Sequence, residues 1–330
     1  MEADSIKSKV REILNKLDAF KDLKVLVIGD LILDIYEEGE VNRISPEAPI
    51  PIVRLKRTFY RLGGAGNVAQ IANNLGADVT IAGVIGDDRE GQVLIDLMEK
   101  SGIDTSGVIV SEDRPTTQKT RIISRGQQLL RIDREEDSSL PLKERENLLS
   151  ALNTIFSEKT YDAIIIEDYD KGVLSEETIN YLDSFRDIGS VDPKERNFWR
   201  YSNYAIFKPN LRELIHAINP NTSLDNAIQE AYNRLTPQWL VVTMGEEGIK
   251  YVTAEGEGHV PAFPIEVADV TGAGDAVIVA LSLCKAIGCS VEEACLFANL
   301  TASLVCQRIG TFAPEPQDLV HHAKALGLID

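Results

Sequence analysis

A mostly parallel β-sheet with helices on both faces is the fold class this sequence predicts, on three observations. Short apolar runs alternate with amphipathic segments along most of the chain, the order expected of an α/β protein. The runs are continuously apolar, as strands buried on both faces must be. Glycines cluster where such runs end or helices begin, and ligands of open α/β sheets bind at the carboxyl ends of the strands.

In chain order, residues 1–20 (MEADSIKSKVREILNKLDAF) mix charged and apolar positions at helical spacing and lack a signal-peptide core, which predicts a short surface helix in a cytoplasmic protein. Lys24–Ile28 (KVLVI) reads as the first strand and ends at Gly29-Asp30. Residues 36–60 hold three prolines and β-type residues with no helical period. Proline enforces extended backbone and withholds an amide donor, so this stretch suits a flap or an edge strand. Val68–Leu75 reads as a helix, Val79–Ile85 as a strand and Glu90–Ser101 as a helix. Residues 115–134 read as a hairpin around Arg125-Gly126. Helical patterns follow at Lys143–Ser157, Glu176–Phe185 and Leu224–Leu235, and strands at Ala163–Ile166, Ala205–Phe207 and Leu240–Thr243. Ala276–Ala286 is an apolar helix, and Ser290 with Glu293 forms a capping box opening a helix over Val291–Gln307. No linker composition or internal repeat divides the chain. Residues 1–330 therefore read as one domain, with a small β-rich lid inserted at 36–60 and 115–134.

Composition excludes several functions. The 330 residues carry 34 basic and 52 acidic side chains, a net charge of −18, and no nucleic-acid surface is expected of so acidic a chain. Small phosphorylated ligands, which need only a local positive pocket, stay open. No apolar run approaches the roughly 18 residues of a membrane span, so no membrane insertion is expected. Cysteines 284, 289, 295 and 306 match no zinc or redox spacing and read as buried thiols in a reducing compartment. The histidines at 216, 259, 321 and 322 offer neither a helical metal pair nor a triad.

Three glycine-centred sites carry the chemistry. In Asp269-Val-Thr-Gly272-Ala273-Gly274-Asp275, glycines at a helix start let backbone amides converge where the helix dipole adds positive potential. Such a nest suits a phosphoryl group, and Asp275 is placed to take a proton from an attacking hydroxyl. The same residues also make an ordinary glycine turn, with Asp275 favouring the helix N-terminus. Gly63-Gly64-Ala65-Gly66-Asn67 opens a second helix and lacks the spacing of a dinucleotide fingerprint. It suits sugar hydroxyls, or a tight packing turn. Gly29-Asp30 with Asp34 offers two carboxylates for a metal, for catalysis, for polyol hydroxyls or for simple capping.

Together these sites resemble the ribokinase-type (PfkB) carbohydrate kinases. GGAGN at 63–67 with Gly76 and Gly86 is similar to their N-terminal signature, and Asp269–Ser282 (DVTGAGDAVIVALS) to their C-terminal one. Asp192-Pro-Lys194, Asn210-Leu211-Arg212-Glu213 and Thr243-Met-Gly245 with Gly248 match between them in family order. The resemblance covers about residues 23–317 and implies a ribokinase-like α/β fold with a β lid, ATP and Mg²⁺ as cofactors, and optionally a monovalent cation. It implies that Asp275 is the base and that Gly272, Ala273 and Gly274 form the anion hole. Lys194, Asn210, Leu211, Arg212, Glu213, Thr243, Gly245, Gly248 and Asn299 fall to the nucleotide side, with Glu213 reaching Mg²⁺ through water. Asp30, Asp34, Gly63, Gly64 and Asn67 fall to the sugar.

Arg43–Val53, Ser124–Asp133 and Asp168-Tyr-Asp-Lys171-Gly172 narrow the likeness to the bacterial D-glycero-β-D-manno-heptose-7-phosphate kinases, which phosphorylate the anomeric O1 on the way to ADP-heptose for lipopolysaccharide. The chain departs from them at Gly66, Gly126 and Asp170, where Ala, Asn and Ala are expected. Charge adds an independent indication. Residues 114–134 hold six basic side chains against Asp133, a local +5. A hairpin presenting Arg121, Arg125 and Arg131, with Lys171, would clamp the distal phosphate; a solvated or aggregation-resistant strand edge is the alternative. The lid is also expected to support a homodimer. Other sugar or nucleoside kinases of the family, or a binding regulator without catalysis, are the competing functions. No H-x-G-H nucleotidyltransferase motif is present, so adenylyl transfer is expected of another protein.

Overall fold

The computed structural model describes residues 2–330. The chain runs α1 (Glu2–Asn15), β1 (Lys24–Gly29), β2 (Leu31–Ile44), β3 (Pro51–Gly64), α2 (Ala65–Asn74), β4 (Asp78–Gly86), α3 (Arg89–Lys100), β5 (Asp104–Ser111), β6 (Thr117–Ser124) and β7 (Gln127–Arg134). It continues α4 (Leu142–Glu158), β8 (Ala163–Glu167), α5 (Glu176–Leu182), β9 (Gly189–Asp192), β10 (Ile206–Phe207), α6 (Leu211–Ile218), α7 (Leu224–Leu235) and β11 (Trp239–Thr243). It closes with β12 (Ile249–Thr253), β13 (Gly256–Val260), α8 (Ala273–Ala286), α9 (Val291–Cys306) and α10 (Pro316–Ala325).

Nine strands form one sheet in the order β13-β12-β11-β10-β9-β8-β1-β4-β5, parallel from β5 to β11 and antiparallel at β12 and β13. Alternate side chains of the central strands feed two apolar cores: Val25, Val27 and Ile165 face one, Leu26, Ile28, Ile164 and Ile166 the other. Helices α2, α8 and α9 cover the first face, and α4, α5 and α7 the second. The strand order reverses between β1 and β8, so a crevice opens at their carboxyl ends, where ligands of such sheets bind.

A second sheet, β3-β2-β6-β7, springs from β1 after the single residue Asp30. The expected flap at 36–60 is the outer part of a longer hairpin, Leu31–Gly64, whose inner residues are buried. The β6–β7 hairpin turns as read: Arg125 and Gly126 have φ of 53° and 78°, the left-handed pair that a two-residue turn needs. The Ser290/Glu293 capping box is present at the start of α9. Three of the four cysteines are buried and the fourth half-buried, all unpaired. Among the described residues no helix is long and apolar enough to cross a membrane.

One expectation is corrected. The N-terminal segment is more than a surface helix, because Val10, Ile13, Leu17 and Phe20 are all buried. Phe20, fully enclosed, sits 5.8 Å from the Phe297 ring. Phe20→Ala should therefore lower the unfolding free energy by about 3–5 kcal/mol, read from urea denaturation, by leaving a cavity against α9.

Candidate active site

The site begins with the pleat of three strands. β1, β8 and β9 pair in the register Gly29↔Glu167↔Asp192, so the Glu167 and Asp192 side chains leave the sheet on one face and those of Asp30 and Asp168 on the other. Glycine is required at 29, since a Cβ there would lie 2.0 Å from the Glu167 carbonyl oxygen.

On the first face the strand ends meet the N-terminus of α8. Gly272 caps this helix at φ 81°, and Asp275 lies in its first turn, buried. The Asn67 amide donates to Asp275 Oδ2 at 2.6 Å and the Tyr169 hydroxyl to Oδ1 at 3.3 Å. Glu167, Asp192 and Asp275 each offer an oxygen within 4.8 Å of the others. The Lys208 ammonium bridges to Asp192 Oδ2 at 2.7 Å, and a Cβ on Gly274 would lie 3.5 Å from that ammonium. The Ala273 amide is turned to the Val270 carbonyl at 3.2 Å; among the described residues no protein acceptor faces the Gly272 and Gly274 amides. The turn thus offers two unpaired amide donors with a buried lysine beside Gly274.

The second face holds a loop. The Asp30 carboxylate accepts from the backbone amides of Tyr169 (2.8 Å), Lys171 (3.1 Å) and Val173 (3.3 Å). Asp168 accepts from Asn197, Tyr201 and the Asp170 amide. The loop needs such fastening, because Asp170 stands at φ 58°. So held, it carries Tyr169 across to Asp275 and places the tyrosine ring within reach of the ammonium groups of Lys119 and Lys194, each 5.1 Å from the ring centre.

These environments set the protonation. Burial, reinforced by Asp192, pushes the Asp275 carboxyl above the ordinary aspartate value, while Asn67, Lys208 and Lys194 pull the other way. Burial and the Asp168 carboxylate raise Asp30 to about 6. Burial, then Asp192 and Asp275, raises Glu167 well above the usual glutamate range. Burial works against the Lys208 ammonium, but Asp192 and Glu213 more than offset it, leaving its pKa above that of ordinary lysine.

Asn210-x-x-Glu213, expected on the nucleotide side, is the capping box of α6, each side chain accepting the other's backbone amide at 2.8 Å. The free end of the Glu213 carboxylate pairs with Lys194. A cavity of about 630 Å³ opens beside it, and Asn210, Leu211, Arg212, Thr243 and Gly245 all line it. Gly248 and Asn299 do not. Gly248 serves the β11–β12 connection, where a Cβ would meet the Val260 carbonyl at 2.2 Å, and the Asn299 amide donates to the carbonyls of Val260 and Pro261.

Several sugar-side expectations change. Asn67 reaches the carboxylate of Asp275, and Asp30 spends its carboxylate on the 168–173 loop. Gly63 and Gly64 lie where β3 returns: a Cβ on Gly63 would sit 3.0 Å from Asp34 Oδ2, and one on Gly64, at φ 54°, 2.4 Å from the Asp30 carbonyl. The four-residue phosphate clamp is not assembled within this chain. Arg121 is buried in an ion pair with Asp34 at 2.5 Å, Arg131 pairs with Asp133, Lys171 with Glu135, and Arg125 stands exposed at the hairpin tip. Lys119 of the same basic patch does face the crevice, and among the described residues no carboxylate pairs with it. Glu167 and Lys208 went unread because each stands alone in sequence at a strand end, and Tyr169 lay within the quoted 168–172 segment without a role of its own; only the strand order brings them together.

The family model of the pfkB carbohydrate kinases matches residues 22–318. The bifunctional protein HldE of Helicobacter pylori (strain J99) is 40% identical over 299 residues, which are 87% of this chain and 64% of that protein. A bifunctional protein HldE of Shewanella piezotolerans is 37% identical over 326 residues, 94% of this chain and 66% of that one. The chain thus spans less than two thirds of the length of these relatives. Escherichia coli phosphofructokinase-2, solved in complex with substrates and products, superposes with a TM-score of 0.75 at 22% identity, over 92% of this chain and 99% of its own, a likeness of fold. With both signature glycine turns meeting at Asp275 and the match spanning most of its length, the chain belongs to the pfkB family of carbohydrate kinases.

Proposed function

We propose that this kinase transfers the γ-phosphoryl group of ATP to the anomeric O1 of D-glycero-β-D-manno-heptose 7-phosphate, giving the 1,7-bisphosphate for ADP-heptose synthesis. The observation that carries the reading is Asp275, ionisable and buried, in the first turn of a helix whose leading Gly272 and Gly274 amides have no protein acceptor among the described residues. The Asn67 amide fixes the carboxylate so that it faces the acceptor hydroxyl and takes its proton as the O–P bond forms. The Gly272 and Gly274 amides and Lys208 neutralise the charge on the moving phosphoryl group. ATP would occupy the cavity beside α6, and Glu213 would hold Mg²⁺ through water, the ion supplying charge neutralisation at the phosphates. The heptose assignment is supported by the segments around residues 43–53, 124–133 and 168–172 and by the HldE relatives. Lys119, poised over Tyr169 without a carboxylate partner, is the cation best placed for the distal phosphate. An ATP-consuming enzyme with four free thiols suits a cytoplasmic setting.

In this reading residues 1–330 act as one kinase domain, with the second sheet as its lid, and two lids meet in a homodimer. The outer strand β7 is exposed along its whole length, including Leu129 (41%), Leu130 (56%) and Ile132 (52%). A bare apolar edge of this kind calls for a cover, and a second copy's lid would supply it along with Arg125 and Arg131.

Four outcomes test these statements. With ATP, heptose 7-phosphate should be phosphorylated in preference to fructose 6-phosphate, fructose 1-phosphate or ribose, and Asp275→Asn should lower kcat by roughly 10²-fold or more with ATP affinity largely kept; near-normal turnover would refute the base. Because only ionised Asp275 accepts the proton and its pKa is raised, kcat/KM should fall on the acid side with a midpoint above the ordinary aspartate value of 3.8. Leu130→Asp should convert a dimer to monomer in light scattering, and a wild-type monomer at all concentrations would remove the lid contact.

A further inference from the structure

The Tyr169 hydroxyl donates to Asp275 Oδ1 at 3.3 Å, and the Asn67 amide donates to Oδ2 at 2.6 Å. A carboxylate held by one oxygen can still turn about its Cβ–Cγ bond, because that torsion is broad; a donor on each oxygen fixes its plane. Each oxygen has two lone pairs, so the two donors together leave room for an incoming hydroxyl. The Asp275 carboxylate, and then burial, push the Tyr169 phenol well above the ordinary tyrosine value, which keeps it a donor. The two donors come from different parts of the fold. Asn67 belongs to α2, whereas the Tyr169 ring lies 5.1 Å from the ammonium of Lys119 on β6, in the second sheet.

We infer that Tyr169 is a positioning residue for Asp275, and that Lys119, acting through the tyrosine ring, makes the setting of that carboxylate depend on the second sheet. The inference rests on the reading of Asp275 as the proton acceptor and is independent of which sugar is phosphorylated. The backbone at 169 is already fixed, since its amide is bonded to Asp30 Oδ2 at 2.8 Å. What is left to set is the side chain, and the two ammonium groups beside the ring set it. They are not equivalent. Lys194 is tied to Glu213 at the α6 cap, so its place follows the large sheet. Lys119 has no carboxylate partner among the described residues and goes where β6 goes. Both Tyr169 and Lys119 are half-buried, and a cation over an aromatic ring gains strength as water is excluded. A displacement of β6 would therefore loosen the ring and with it one of the two donors, and a carboxylate slightly out of line with the acceptor hydroxyl transfers its proton more slowly.

The test uses the full chain with ATP and the acceptor that the wild type turns over best among heptose 7-phosphate, the fructose phosphates and ribose. Tyr169→Phe keeps the ring and should lower kcat about fivefold to tenfold, the loss expected of a long hydrogen bond to a charged group, with the KM for ATP kept within about twofold. Lys119→Met should lower kcat at saturating acceptor about threefold, beside any rise in the acceptor's KM. In a Tyr169→Leu background the same lysine change should leave kcat within about 1.5-fold, because the ring that relays it is gone. A wild-type kcat in Tyr169→Phe overturns the inference, as does a Lys119→Met loss of kcat that persists undiminished beside Tyr169→Leu. A second readout needs no turnover. With tyrosine isotopically labelled at Cζ, the NMR signal of Tyr169, assigned by its loss in Tyr169→Phe, should shift in both Asp275→Asn and Lys119→Met, and a signal that either variant leaves in place overturns the inference. Near-normal turnover in Asp275→Asn would remove the proton-acceptor reading and this inference with it, whereas a wild-type kcat in Tyr169→Phe beside an impaired Asp275→Asn would remove this inference alone.

Discussion

The pleat of β1, β8 and β9 is the constraint on which the rest of the structure depends. Three parallel strands end in register with acidic residues, and the two-residue period of the strand sorts those acids onto opposite faces. Glu167 and Asp192 are sent toward the start of α8, where amides and lysines gather; Asp30 and Asp168 are sent away from it, where they fasten a loop. A shift of one residue in any of these pairings would exchange the two sets, leaving the loop loose and the helix start without its acids. The apolar core on either side enforces the register, because the same shift would turn Val25 and Val27 into the space of Leu26 and Ile28.

The two faces cooperate through Tyr169. Its backbone belongs to the loop held by Asp30, its hydroxyl donates to Asp275, and its ring lies 5.1 Å from a lysine of the second sheet and 5.1 Å from a lysine tied to the α6 cap. The loop, the start of α8, the second sheet and the α6 cap therefore meet at one aromatic group. Asn67 makes a parallel link, carrying the first glycine turn to the second at 2.6 Å.

What was legible in the sequence was local. The glycine nest before α8, the Ser290/Glu293 box, the Arg125-Gly126 turn and the strand runs all depend on neighbours within a few positions, and all stand where the residues put them. The motif Asn210-x-x-Glu213 was legible as a pattern, but its local form, a reciprocal cap, emerged only with the backbone. Charge counting misled in a specific way: the basic patch of 114–134 is real, yet Arg121 meets Asp34, a carboxylate that only folding supplies, Arg131 pairs with its near neighbour Asp133, and Lys171 with Glu135. The N-terminal segment was misread for a similar reason, since the face that receives Phe20 is built from α9, nearly three hundred residues later.

Asp30 is the sole residue between a strand of the large sheet and a strand of the small one. Its amide donates to Glu167, its carbonyl accepts from Ala65 where β3 hands over to α2, and its side chain secures the loop bearing Tyr169. Both rails of the inserted hairpin, outgoing and returning, are thus pinned at one point. Any swing of the small sheet has its fulcrum there, and a lever so mounted transmits its tilt straight to the tyrosine that touches Asp275.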